Sequence, residues 1–391
     1  MTLPTDSELV RRARQLVELD HFGDQPVYLV GGAVRDLLTG CEPADIDLAV
    51  EGSLEPVLTA LEGAVDAYDR FATATVVRGG RRYDVAQTRA EAYAYPGALP
   101  DVRPAGILED LRRRDFTVNA IAVALAGPRA GEVLYADGAR EDLQAGRLEV
   151  LHDRSFEDDP TRLLRLARYQ ARLQFETGER TERLARAAVA LGAINTVSGT
   201  RVGNELRLLA AEPDPVAALN ALAELGLGWG VNPETADRAI AALPDDGRRD
   251  LVTLAAALLD RPVAQTAPLL DKLAFTAADR DAISEAAARA RPLAVQLATA
   301  GTGSEIAHAA GNLGITTVCL ACALGDATRA RRWLEDLRHR TLQISGADLL
   351  AAGVPEGPRL GVALAAARDA MWNDHAEDRD RQLAVALEAA E

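Results

Sequence analysis

Val27–Val50, VYLVGGAVRDLLTGCEPADIDLAV, is the stretch whose reading decides the fold. An apolar run from Val27 to Val30 stops at Gly31-Gly32 and a helix-like segment follows. Asp45 and Asp47 then stand two apart at the head of a second apolar run. Residues two apart on a strand point to one face. The spacing therefore aims two carboxylates at one point and turns Ile46, Leu48 and Val50 the other way, into a core. Mg²⁺, a hard cation, takes one or two carboxylates together with water and substrate phosphate. Gly31 and Gly32 let the backbone approach a phosphate closely, and the helix start after them offers unpaired N–H groups and a positive dipole end. Together these features predict a metal-assisted nucleotidyl-transfer site. A lone Asp-x-Asp is more often a turn or a solvated strand end; the Gly-Gly-Ala-Val-Arg-Asp upstream of it gives the pair its weight.

Composition bounds the rest. A chain of 391 residues is long enough for several domains with real cores, and 48% hydrophobic with 26% charged residues is ordinary globular composition. No apolar run reaches the length of a membrane span, and the N-terminus reads as an amphipathic helix over residues 1–24 without the apolar core of a signal peptide. Three cysteines make no disulfide framework; Cys319 and Cys322 sit in an Ala/Leu-rich stretch and are expected to be buried core thiols. The expected compartment is the cytoplasm, with no membrane partner. Lys272 is the one lysine, and the net charge is −16. Such a balance excludes an indiscriminate grip on nucleic acid. It is compatible with an arginine-lined cleft for one shaped RNA, because Arg112–Arg114 and the arginines from Arg162 to Arg186 are clustered.

Gly-Gly-Ala-Val-Arg-Asp before Asp45-x-Asp47 resembles the first motif of the class II tRNA nucleotidyltransferase and bacterial poly(A) polymerase family. The resemblance implies an α+β fold: a small polymerase-beta-like α/β head, then an all-helical neck, body and tail. Short β-branched runs at Val27–Val30, Ile46–Val50, Thr73–Val77 and Tyr83–Ala86 agree with this, as does the Ala/Leu/Arg periodicity beyond Asp142. Gly79-Gly80 reads as a hairpin turn. The expected divisions are a head over 1–126, a neck over 127–190, a body over 191–310 and a tail over 311–391 that binds tRNA.

Further motifs fall in register. Asp84, on a later strand, is the third acid implied by the family, completing a two-metal Mg²⁺ site with Asp45 and Asp47. The stretch between Arg89 and Ile107 is too irregular for an element, and in the family a flexible loop here helps switch from C to A addition. In LRRRDFTVNA, Leu111–Ala120, the spacing puts Asp115 and Asn119 on one helical face, where they would hold a ribose 2′-hydroxyl; Arg114 joins them in nucleotide binding. DGAREDL, Asp137–Leu143, is a shortened form of the family's head-to-neck connector. Asp158-Asp159-Pro160-Thr161-Arg162 stands where the family selects the incoming base, with Asp158 in place of its Glu. Asp159 can accept from the amino group of cytosine or adenine while Arg162 donates to the adjacent ring nitrogen; uracil and guanine present the reverse polarity. Arg165, Arg168 and Arg172 continue as a basic stripe toward triphosphate or the tRNA end, and Arg35 is expected to stabilise pyrophosphate. Arg201 and Glu205, in SGTRVGNEL, read as structural, and Ile344–Gly361 resembles the tail of bacterial members. No His-Asp hydrolase motif stands beside Asp260.

The resemblance thus implies addition of CCA to the tRNA 3′ end from CTP and ATP. A CC-adding or A-adding specialist, then a poly(A) polymerase, are the runners-up, and a non-catalytic RNA-binding relic is the reading from another class. Oligomeric state is not legible.

Overall fold

The carboxylate-bearing strands lie near the middle of a sheet that the computed structural model builds from residues scattered over the first third of the chain. It describes residues 3–18, 22, 25–43, 45–62, 64–66 and 72–391. In order come α1 (Asp6–Val17), β1 (Val27–Val30), α2 (Gly32–Thr39), β2 (Ile46–Val50), α3 (Glu55–Leu61), β3 (Ala64–Asp66), β4 (Thr73–Arg78) and β5 (Arg81–Gln87). β6 (Arg89–Ala92), β7 (Asp101–Pro104), α4 (Ile107–Arg112), β8 (Ile121–Ala126) and β9 (Val133–Tyr135) follow. Among the described residues the main sheet runs β3-β4-β5-β2-β1-β8-β9. β2 and β5 are parallel and the other neighbours antiparallel.

Alternation decides which face does what. Val27, Leu29, Ile46, Leu48, Val50, Tyr83 and Val85 enter one core with Leu9, Ala13 and Val17 of α1 and Ala33 and Val34 of α2. Tyr28, Val30 and Ala49 turn to the other face, where Ile107 and Leu111 of α4 cover them. Asp47 lies on that second face, and the register sets it directly beside Asp84. α1 begins with Thr5 accepting from the Glu8 amide and ends at Glu18 in the left-handed region, so the expected helix is shorter than 1–24. Residues 1–2, 19–21 and 23–24 of that expectation lie outside the described residues. Arg78 pairs with Arg81 across Gly79-Gly80, both at positive φ, which is the hairpin expected there.

Further expectations need correction. The stretch after Arg89 is not irregular throughout: β6 and β7 pair antiparallel as a hairpin around residues 93–100. Arg113 Nη1 donates to Glu91 at 2.9 Å and Tyr93 Oη to the same carboxylate at 2.7 Å. Asp115 and Asn119 do not share an α-helix either. α4 ends at Arg112, Asp115 sits in a bend, and Asn119 closes a 3₁₀ turn over Thr117–Asn119. β8, an apolar Ala-rich run with no alternation to announce it, pairs with β1 in the sheet interior.

Past the head come α5 (Ala139–Ala145), β10 (Arg147–Leu148), α6 (Ser155–Asp158), α7 (Arg162–Leu173), β11 (Glu176–Thr177), α8 (Glu179–Ala190) and α9 (Gly199–Ala210). A two-stranded parallel pairing of β10 with β11 interrupts the expected all-helical neck. Residues 1–205 with 224–227 form one compact unit, holding the expected head and neck; 206–223 with 228–391 form another. The second unit is helical, with Ala277–Thr299 packed on Ile315–Leu324. Cys319 and Cys322 are buried there as expected, and burial pushes the Cys319 thiol up to about 12. Among the described residues no single helix is long and apolar enough to cross a membrane.

The hairpin's tip is held by backbone. The Gly97 amide donates to the Glu157 carbonyl at 3.0 Å, and its own carbonyl accepts from Arg201 at 3.1 Å. Gly97 has φ of +74°, and a Cβ there would meet the Thr196 side chain and lie 3.1 Å from its carbonyl carbon. Gly97→Ala is therefore expected to cost about 1–3 kcal/mol locally and to release residues 93–100. Limited proteolysis should find faster cleavage within that tip; an unchanged cleavage pattern would show that the tip is held by other contacts.

Candidate active site

A cleft of about 510 Å³ in the first unit collects most of the residues singled out in the sequence: Gly31, Gly32, Asp47, Arg114, Asp115, Asn119, Asp159, Arg162 and Arg165. Gly31 makes the turn from β1 into α2 at φ of +71°. A Cβ on it would lie 2.9 Å from Arg114 Nη1 and 3.6 Å from Asp47 Oδ2, so glycine is what lets that guanidinium lie over the loop. Arg114 also donates to Asp110 Oδ2 at 2.9 Å. Burial would raise the Asp110 carboxyl, but Arg114 and Arg113 outweigh it and hold it below the usual range.

Asp115 and Asn119 meet although no helix joins them. Asn119 Nδ2 donates to Asp115 Oδ1 at 3.0 Å, and Arg165 Nη2 and Nε donate to Oδ2 at 2.6 and 2.9 Å. Burial alone would raise this carboxyl; Arg165 and the Asn119 amide reverse the sign and hold it far below the carboxylate range. Arg35 donates to Asn119 Oδ1 at 2.6 Å and to Asp36, and it is only 2% exposed. It lies behind the cleft wall instead of lining it, so its expected contact with pyrophosphate has no counterpart in this geometry. Arg168 is likewise buried, 3.6 Å from Glu205 and stacked over Tyr169. Of the basic stripe expected from Arg165, Arg168 and Arg172, Arg168 is thus spent inside the protein, Arg165 lines the cleft paired with Asp115, and Arg172 is exposed.

At the segment expected to select the base, Asp159 Oδ1 accepts from Thr161 N at 3.0 Å, Thr161 Oγ1 at 2.6 Å and Arg201 Nη2 at 2.8 Å. Among the described residues nothing donates to its Oδ2. Arg162 is anchored by donating to Ser155 Oγ and to the Arg113 carbonyl, both at 2.6 Å. Each terminal nitrogen keeps a second N–H. Asp158 pairs with Arg154 at 3.2 Å and does not line the cleft. Sequence reasoning took Arg201 and Glu205 as structural, yet both line the cleft, with Tyr93 and Tyr169. Arg201 is the ion-pair partner of Asp159, and Glu205 accepts from Arg165 at 3.5 Å. Their i, i+4 spacing was visible; that they close the cleft depends on where α9 begins.

The carboxylates form the second part of the site. Asp47 lines the nucleotide-sized cleft and, with Asp84, a neighbouring cavity of about 410 Å³. Burial raises the Asp47 carboxyl, Arg114 opposes the shift, and the charges of Asp84 and Asp45 add to it. A half-buried acid pushed up by two neighbouring acids fits a divalent cation. Asp84 is held by Arg82 and Thr75, and Asp45 is exposed just ahead of β2. Among the described residues no three acidic, histidine or cysteine side chains converge into a ready-made metal site. Mg²⁺ does not require one, since water and substrate phosphate complete its octahedron.

A folded-state pKa raised above the unfolded value costs stability at pH above both values and nothing below the unfolded one. Without metal, Asp47→Asn should therefore be more stable than the parent at pH 7, and the gain should vanish as pH falls toward the ordinary value of 3.8. Mg²⁺ should stabilise the parent more than the variant. Melting curves in EDTA and in Mg²⁺ across that range decide it; a metal-free variant less stable at pH 7 would contradict the electrostatics described.

Residues 27–149 match the poly(A) polymerase head domain. Over 227 residues, 56% of this chain, the sequence is 42% identical to an A-adding tRNA nucleotidyltransferase of Geobacter sulfurreducens, covering 26% of that protein. Over 212 residues, 53% of this chain, it is 39% identical to a CC-adding tRNA nucleotidyltransferase of Deinococcus radiodurans, covering 54% of it. The chain thus spans about half or less of the curated relatives it matches. A solved CCA-adding enzyme in an apo form superposes with a TM-score of 0.82 at 28% identity, covering all of both chains. With its mixed-sheet head and helical remainder, the chain is similar to the tRNA nucleotidyltransferase and poly(A) polymerase family, and residues 27–149 are a poly(A) polymerase head domain.

Proposed function

We propose that this chain extends the 3′ end of tRNA with C, C and A, taking CTP and ATP without a nucleic-acid template. The observation that carries the reading is the pairing on one cleft wall of an acceptor, Asp159 Oδ2, with an anchored donor, Arg162. Cytosine presents an amino donor beside N3, and adenine presents one beside N1, so one acceptor–donor pair serves both. Uracil and guanine reverse both partners, and each buried group left unpaired costs about 1–3 kcal/mol. Asp115 and Asn119 lie on the same cleft, within the chain of bonds that holds Arg35 and Arg165, and are the groups for the ribose 2′-hydroxyl. Asp45, Asp47 and Asp84 would hold Mg²⁺, which supplies the charge that activates the primer hydroxyl and stabilises the leaving pyrophosphate. The chain's acidity, with pI near 4.9, supports a shaped tRNA over a generic RNA tail.

A second reading, an A-adding specialist, is favoured by the higher identity to A-adding than to CC-adding relatives. One assay separates them: tRNAs ending at the discriminator base, at C and at CC, each offered single NTPs. Addition of C to the first two and of A to the third supports CCA synthesis; A on the third alone identifies the specialist. Efficient tailing of oligo(A) would move the answer to poly(A) polymerase. In the same assay Asp159→Ala should relax rejection of UTP and GTP by roughly tenfold to a hundredfold. Arg162→Lys, which keeps charge but loses the fork, should depress CTP and ATP addition together. Parental selectivity in both variants would place base choice elsewhere.

A further inference from the structure

Resting on the metal reading of Asp84, we propose that Arg82 is a removable counterion of that carboxylate, which a divalent cation must displace. Arg82 and Asp84 are two apart on β5 and share its face. Arg82 Nε donates to Asp84 Oδ1 and Oδ2 at 3.2 and 3.0 Å, and Nη2 to Oδ1 at 3.1 Å. Thr75, directly across on β4, donates to Oδ1 at 2.6 Å. Both oxygens are thereby engaged.

The neighbouring arginines are built differently. Arg113 and Arg114 are committed to Asp110, whose side chain is 1% exposed, so withdrawing them would leave a buried charge unpaired. Arg82 is 57% exposed, and Asp84 is its one hydrogen-bonded partner among the described residues. Its guanidinium can swing into water without stranding anything but Asp84, which the incoming cation then neutralises. Thr75 stays, fixing the carboxylate's orientation. The cavity of about 410 Å³ that Arg82 and Asp84 line with Asp47 gives the displaced guanidinium room beside the place where the two acids face each other.

The test is cation binding by the full chain without nucleotide or RNA, read as free Mn²⁺ by electron paramagnetic resonance. An exposed ion pair is weak, so Arg82→Gln should tighten Mn²⁺ binding by about three- to fivefold. Asp84→Asn should weaken it, and adding Arg82→Gln to Asp84→Asn should recover almost none of that gain, because the competitor has lost its target. Unchanged or weaker binding in Arg82→Gln overturns the proposal. So does an equal gain in both backgrounds, which would mark a diffuse field effect. Asp84→Asn binding Mn²⁺ as the parent does would instead show that Asp84 is no ligand, and the metal reading of that residue would fall with the proposal. Asp47→Asn in parallel reports whether the remaining metal site is sound.

Discussion

The buried carboxylate of Asp115 is the point on which the first unit is organised. Taking a carboxylate out of water costs several kcal/mol unless its lone pairs are met. Here Phe116 N and Asn119 Nδ2 serve Oδ1, and the Arg165 fork serves Oδ2. Meeting that demand fixes three segments at once. The bend after α4 must present its amide, the 3₁₀ turn must bring Asn119 back, and α7 must lie with Arg165 facing the head. From Asn119 the requirement passes to Arg35 and so to α2, whose first turn carries Gly31 and Gly32. From Arg165 it passes to Glu205 on α9. The cleft floor is tied together because one ion cannot be left unpaired.

That arrangement explains how a chain of net charge −16 forms an arginine-lined cleft. Arg113 and Arg114 answer Asp110, Arg165 answers Asp115 and Glu205, and Arg201 answers Asp159. The guanidiniums are held by carboxylates before any phosphate arrives, which lowers the ordering cost of binding but leaves little unbalanced positive field. A phosphate-bearing ligand would then be recognised by the geometry of particular N–H groups and much less by bulk attraction.

Much of this was legible in the chain. The alternation in Ile46–Val50 fixes both the core face and the Asp47 face, and the register with β5 adds Asp84 as expected. Gly79-Gly80 gave its hairpin, and Asp159 and Arg162 reached the cleft. Illegible parts have physical reasons. β6 and β7 are only four residues each, RAEA and DVRP, too short and charged for their alternation to stand out, and their pairing is secured by Arg113 and Glu91, a contact between distant residues. Asp115 and Asn119 have helical spacing but meet through a bend, because the buried carboxylate draws the amide to it. Arg35 and Arg168 look like surface cations in the sequence; only the fold shows that Asp36, Asn119 and Glu205 stand close enough to bury them. Arg201 and Glu205 show the converse, since no local pattern marks a helix start as the edge of a cleft.

Within one small domain the acids fall into two kinds, and the difference carries the functional argument. Asp110, Asp115 and Asp142 are buried and each is met by arginine; Thr117 and Arg147 complete Asp142. These acids hold the scaffold together. Asp47 is half-buried, and its carboxyl is raised by burial and by two like charges that Arg114 does not offset. A sequence selected only for stability would replace it, because an amide in that place would be cheaper. On the face shared with Asp84, beside a glycine turn that leaves room for Arg114, such a carboxylate fits a positive charge supplied from outside the chain. Arginines answer Asp110, Asp115 and Asp142 from within the chain, whereas the balance of charge around Asp47 leaves its carboxyl raised.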